Sequence, residues 1–103
     1  MSTFKINQIF KDEVCVGGKA SGQLLREKIE TELAKGPIMI DFEGTDLITQ
    51  GFSDEFLGPI LIENGQDVFR RIKFKNCSDD VQAIILSTAR RFLLDMPSIS
   101  YFQ

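Results

Sequence analysis

Ile40-Asp41-Phe42-Glu43-Gly44-Thr45-Asp46-Leu47-Ile48-Thr49-Gln50-Gly51-Phe52-Ser53-Asp54-Glu55-Phe56 is the stretch on which the reading of this chain turns. It begins at the end of the apolar run Pro37–Phe42, which is too short for an ordinary helix and bounded by punctuation, and so predicts a buried strand. It ends where Phe52, Phe56, Leu57, Ile60 and Leu61 take up helical spacing, predicting a helix over 52–62. Between them lies a polar loop. Pro59 falls inside the predicted helix and removes a backbone donor, so a kink or a restart is expected there.

On the N-terminal side, Leu25, Ile29 and Leu33 recur every four residues, with charged residues opposite. This predicts an amphipathic helix over 20–35, closed by Gly36 and Pro37. Earlier still, the alternation around Phe4–Ile9 and the β-prone run Val14–Val16 read as two strands of a hairpin. On the C-terminal side, Arg71–Lys75 alternates basic and apolar residues, as a half-exposed strand does. Ser78 then caps a last helix whose first residues, Asp79 and Asp80, suit the helix dipole, and whose apolar stripe runs to near Pro97. The order is ββαβαβα, which predicts an α/β fold: a single-layer sheet of about four strands with helices packed on it. The 103 residues suit one domain, 1–103, since two cores of half that length would need staples.

Composition narrows the chemistry. The chain is 43% hydrophobic with a net charge of −3, which argues against disorder and against a strongly basic nucleic-acid footprint. It contains no histidine, the commonest general base and metal ligand, and its two cysteines are 62 positions apart. No catalytic residue, metal site or cofactor site is expected. Cys15 and Cys77, on predicted strands, read as buried thiols without an activating base. Adjacent carboxylates such as Asp54 and Glu55 point apart on a helix and make no acid–base dyad. No run of 18 apolar residues and no leader-like start is visible, so a cytoplasmic location away from membranes is the default expectation.

The 40–56 stretch resembles the signature of STAS domains, which include anti-sigma-factor antagonists and the cytoplasmic tails of sulfate transporters. Asp41, Phe42 and Gly44 match the strand end, and Thr49-Gln50-Gly51 falls where a small polar pair opens the helix. The Phe52–Phe56 helix start is more similar to the STAS-like domain of unknown function of bacterial and phage proteins. The resemblance covers residues 3 to about 95 and implies partner binding through the loop and helix at about 45–58. Gln50 departs from the pattern, because anti-sigma antagonists carry a phosphorylated serine there. Thr49 or Ser53 could take its place, or Thr49 and Gln50 could simply cap the helix. The STAS pattern also ends in a further strand, for which only Ile99–Phe102 remains. An open sheet edge completed by a second chain, and hence a homodimer, is one consequence.

Charge is uneven. Seven acidic residues and no Lys or Arg lie between Asp41 and Asp67, leaving −7 there and +4 elsewhere. This predicts an acidic docking face, with Asp46, Thr49, Gln50, Ser53, Asp54 and Glu55 toward the partner and Phe52, Phe56 and Leu57 toward the core. The alternative for these acids is a solvated surface. The basic residues Arg70, Arg71, Lys73, Lys75, Arg90 and Arg91 lack interleaved aromatics and read as solvated strand and helix faces. The glycines at 17, 18 and 22 fit neither the P-loop nor the dinucleotide spacing.

Two functions follow. The first is a non-enzymatic regulatory module that binds a protein partner; the STAS resemblance implies an ATPase or kinase of the anti-sigma type. The second is a small phage or mobile-element inhibitor that blocks a basic nucleic-acid-binding partner without touching nucleic acid itself. With three carboxylates near the candidate acceptors, phosphate is disfavoured, and binding is expected to be constitutive.

Overall fold

The computed structural model describes residues 1–11 and 13–93. Three parallel strands form the main sheet in the order β1-β3-β5: β1 (Ser2–Lys5), β3 (Ile38–Asp41) and β5 (Ile72–Lys75). A second parallel pair, β2 (Cys15–Val16) with β4 (Leu47–Ile48), stands apart from it. The helices are α1 (Ile6–Ile9), α2 (Lys19–Leu33), α3 (Gln50–Asn64) and α4 (Asp79–Phe92), with a 3₁₀ turn over Gly65–Arg70.

The α/β class holds, but the single sheet of about four strands in the order ββαβαβα is corrected to five strands, among the described residues, in two parallel sheets. The expected hairpin does not form. β1 pairs in parallel with β3, and β2 in parallel with β4. The reason lies in the spacing of Ile6, Ile9 and Phe10, which is helical rather than alternating. Ile6 and Phe10, four apart, are buried together on one helical turn, and the chain leaves β1 through that turn. β4 falls in what reads as a loop, because two residues are too few to show a period.

Register explains the faces of the main sheet. Phe4, Ile40 and Phe74 lie in one row and Ile38 and Ile72 in another, on the side covered by helices. α2 contributes Leu25, Ile29 and Leu33; α3 contributes Phe52, Phe56, Leu57, Ile60 and Leu61; α4 contributes Val81, Ile85 and Ala89. Thr3, Met39 and Lys73 form the row on the opposite face, followed by Lys5, Asp41 and Lys75.

Pro59 neither stops nor restarts α3, which runs unbroken from Gln50 to Asn64. The proline leaves the Glu55 carbonyl without its helical donor. The Arg26 guanidinium, reaching across from α2, donates to that carbonyl instead. The last helix ends at Phe92, with Leu93 already extended. The possible strand at Ile99–Phe102 lies outside the described residues.

Candidate functional site

The loop from Phe42 to Thr49 carries the chain from β3 into α3. Thr45 is buried and its N–H donates to the Phe42 carbonyl, closing the turn after the strand. The Asp46 and Leu47 amides donate to the Val14 carbonyl at 2.9 and 3.1 Å, so the loop is stitched to β2. Asp46 in turn offers its carbonyl to the Ser78 hydroxyl at 2.7 Å, and Ser78 Oγ accepts the Val81 N–H as the cap of α4. The loop, β2 and the first turn of α4 therefore meet at one end of the molecule, with Asp79 and Asp80 exposed beside Asp46.

Thr49 caps α3. Its Oγ1 accepts the Phe52 N–H at 3.2 Å and the Gly18 N–H at 3.3 Å, so one hydroxyl oxygen serves the starts of two helices. Gln50, Ser53 and Asp54 face α4. The Gln50 amide donates to Asp54 Oδ1 at 2.8 Å and to Thr88 Oγ1 at 2.9 Å. The Thr88 hydroxyl has a single hydrogen, and it is donated to Asp54 Oδ1, with the oxygens 2.8 Å apart. The 2.7 Å contact between Ser53 Oγ and Thr88 Oγ1 must then run from Ser53 to Thr88. Arg91 closes the network on Asp54 Oδ2. Burial opposes the charge on Asp54, but the hydrogen bonds from Gln50 and Thr88 and the Arg91 guanidinium outweigh it and hold the carboxyl below its ordinary range.

Of the six predicted partner-binding residues, Asp46 and Thr49 are exposed, Gln50, Asp54 and Glu55 are half-buried, and Ser53 is fully buried. Gln50, Ser53 and Asp54 are brought together, while Glu55 turns to the other flank and pairs with Arg26 at 3.3 Å. Phe52, Phe56 and Leu57 are fully buried. The acidic stretch is locally neutralised where it touches its neighbours: Asp54 by Arg91, Glu55 by Arg26, and Asp41 by Lys75 at 4.0 Å. Asp41 is buried, which opposes its charge. The Asn76 side chain, the Glu43 N–H, Lys75 and Lys5 together still lower its pKa.

Sequence reasoning missed what surrounds the loop. Val14 is 58% exposed and Leu47 42% exposed, next to each other through the backbone bond just described. Cys15, expected to be buried, is exposed opposite Leu47, because in a two-residue strand Val16 takes the inward position. Cys77 is half-buried, and burial, reinforced by the Asp41 carboxylate, pushes its thiol up to about 12. It is a poor nucleophile. Glu13, Glu43 and Asp46, all exposed, lie on the segments that carry this apolar pair, and Asp79 and Asp80, also exposed, open α4, which Ser78 ties to the Asp46 carbonyl. The signal available in sequence was Val14-Cys15-Val16 and Leu47-Ile48 as short apolar runs flanked by acids.

Among the described residues, no group of three or more His, Cys, Asp or Glu is arranged to hold a metal ion, and no helix is long and apolar enough to cross a membrane. The family model described as a STAS-like domain of unknown function (DUF4325) matches residues 21–82, more than half of the chain, and the chain belongs to that family. No curated protein and no solved structure matches it.

Proposed function

We propose that this STAS-like domain is a regulatory module that docks a protein partner where β2, β4 and the starts of α3 and α4 meet. The observation that carries the reading is the exposed pair Val14 and Leu47, each preceded in the chain by an exposed acid, Glu13 and Asp46, with the Asp46 carbonyl tied through Ser78 to the start of α4, where Asp79 and Asp80 are exposed. An apolar centre with a charged rim is the usual anatomy of a protein-binding patch. The sign of the rim selects a partner that offers an apolar anchor among basic residues and disfavours nucleic acid. Asp46 and Thr49 would touch the partner and Glu55 would lie at the margin. Gln50, Ser53 and Asp54 would act beneath them by fixing α3 on α4. An ATPase or kinase of the anti-sigma type, met in the cytoplasm, is the partner class that the STAS resemblance suggests.

Occupation would be constitutive. The Thr49 oxygen already accepts two amide hydrogens, and Ser53 has no exposed surface for a kinase to reach. An inhibitor that covers a basic nucleic-acid-binding groove would use the same face; displacement of a bound oligonucleotide from the captured partner identifies that case. The test is affinity capture from the native host with wild type and with Val14→Asp/Leu47→Asp. Both positions are exposed, so the melting temperature should move by no more than a few degrees while the captured partner is lost. Equal capture by the double variant removes this face from consideration.

A further inference from the structure

On another side of the molecule, β1 is an outer strand of the main sheet: it pairs with β3 and, among the described residues, with nothing beyond. Alongside this edge, between β1, α1 and α2, runs an open groove of about 500 Å³. Phe4 and Ile9, both only partly buried, form its apolar floor. Lys5 and Lys28 flank it, both exposed and without an ion pair among the described residues. The acid on the groove, Glu32, is already engaged by the Ser2 hydroxyl at 2.9 Å and by Lys35 at 3.1 Å.

We infer that this edge and its groove accept an extended, acidic peptide segment of a protein partner as an added strand on β1. The backbone supplies the affinity common to strand addition, since among the described residues the outward peptide groups of Ser2–Lys5 have no ladder on that side. Alternation supplies the selectivity. Side chains of the added strand that point toward the helices meet Phe4 and Ile9 and want to be apolar, and their neighbours meet Lys5 and want to be acidic. Lys28, on the α2 rim of the helix side, adds to the positive field that an acidic segment meets as it approaches the edge. A lysine alone would read as a guard against edge-to-edge pairing. An apolar floor beside it is not part of such a guard. A second copy fits poorly, because β1 itself, Ser2–Lys5, carries no carboxylate to meet Lys5 and Lys28.

The test is amide-resolved NMR titration of the full chain with a blocked hexapeptide alternating valine and glutamate. Saturable shifts confined to Thr3, Phe4, Lys5 and the facing turn of α2 are expected. Lys5→Glu/Lys28→Glu should lose about tenfold in affinity, as two exposed charge pairs turned repulsive predict. The valine–lysine peptide should bind at least as weakly, and a valine–glutamate peptide methylated on the amides of one edge should not bind. Absence of saturable shifts, equal binding of the lysine peptide, or full binding of the methylated one overturns the assignment. So does a β1 shift that depends on protein concentration with no peptide present, which would give the edge to a second copy.

Discussion

Helix α3 is held on two flanks by opposite means. Toward α2 the contact is steric. Gly22 lies so close that a Cβ built on it would meet the Phe52 carbonyl oxygen at 2.7 Å and the Glu55 Cβ at 2.8 Å. Arg26 adds a hydrogen bond to a carbonyl that Pro59 has orphaned. Toward α4 the contact is polar: a buried chain from Ser53 through Thr88 to Asp54, closed by Gln50 and Arg91. Only farther along, where the Phe92 ring sits 2.8 Å from a Cβ built on Gly58, does that flank become tight packing. A backbone-to-backbone contact cannot adjust to added volume, while a network of side-chain hydrogen bonds depends on every member and on pH. The α3 start, which carries Thr49 and its loop, is thus fixed on one side and conditional on the other.

The largest effect should come from filling the steric flank. Gly22→Val places a branched side chain against backbone atoms of α3, which cannot rotate away. The gain in helix propensity over glycine, about 0.5 kcal/mol, is small beside the overpacking cost. A loss of about 3 kcal/mol or more in urea unfolding is expected. A change within 1 kcal/mol, on the order of an ordinary surface substitution, would mean that α2 and α3 are not in register as described.

Breaking the polar flank should cost less and should be repairable. Thr88→Val keeps the shape but removes the acceptor for Ser53 and the donor to Asp54, leaving a buried hydroxyl unpaired, at a cost of about 2 kcal/mol. Adding Ser53→Ala to Thr88→Val removes that orphan and should recover part of the loss. Simple additivity of the two substitutions in a double-mutant cycle would break the network reading. Arg26→Ala on the steric flank should cost about 1–2 kcal/mol, because the Glu55 carbonyl next to Pro59 then has no donor.

How far these flanks could be foreseen differs from residue to residue. Ile38–Asp41 and Ile72–Lys75 were readable because a buried run and an alternating run each carry their own period. The pairing of β2 with β4 was not, since two residues show no period and parallel partners lie about thirty positions apart. The acidic stretch was readable as charge but not as a surface. Its compensating cations, Arg26 and Arg91, arrive from α2 and α4, so a window between Asp41 and Asp67 shows none of them. Ser53 carried a usable signal: it stands four before Leu57 and eight before Leu61, on the apolar stripe of α3. Its hydroxyl invited a surface role, and that hydroxyl is spent on Thr88.

Acid separates the flanks again, with a smaller effect. The Asp54 carboxyl is held below its ordinary value of 3.8 in the native state. A depressed native pKa adds stability that is present above the unfolded value and lost as pH falls through the native one. Stability should therefore decline as pH drops below about 4, and Asp54→Asn should flatten that decline. Asn keeps an acceptor for Gln50 and Thr88 but has no charge to lose. The slope that remains belongs to Asp41 and Glu32, whose carboxyls are lowered as well. An unchanged acid limb in Asp54→Asn would place the whole dependence outside the α4 flank.

The smallest effect belongs to Arg91, and its smallness is informative. Arg91 and Arg26 both reach a carboxylate of α3, yet the Arg91 side chain is 56% exposed and that of Arg26 only 17%. Water can replace the Arg91 guanidinium on Asp54 Oδ2, and Gln50 and Thr88 still serve Oδ1. An exposed pair of this kind contributes about 0.2–1 kcal/mol and is screened by salt. Arg91→Ala should therefore cost well under 1 kcal/mol, on the scale of an exposed ion pair, and the difference from wild type should shrink between low and high salt. The Arg26→Ala loss should persist at high salt, since a hydrogen bond to a half-buried carbonyl is not a screened charge pair. If Arg91→Ala instead costs as much as Thr88→Val, the guanidinium organises the network from outside, and the α4 flank is held by charge rather than by its buried hydroxyls.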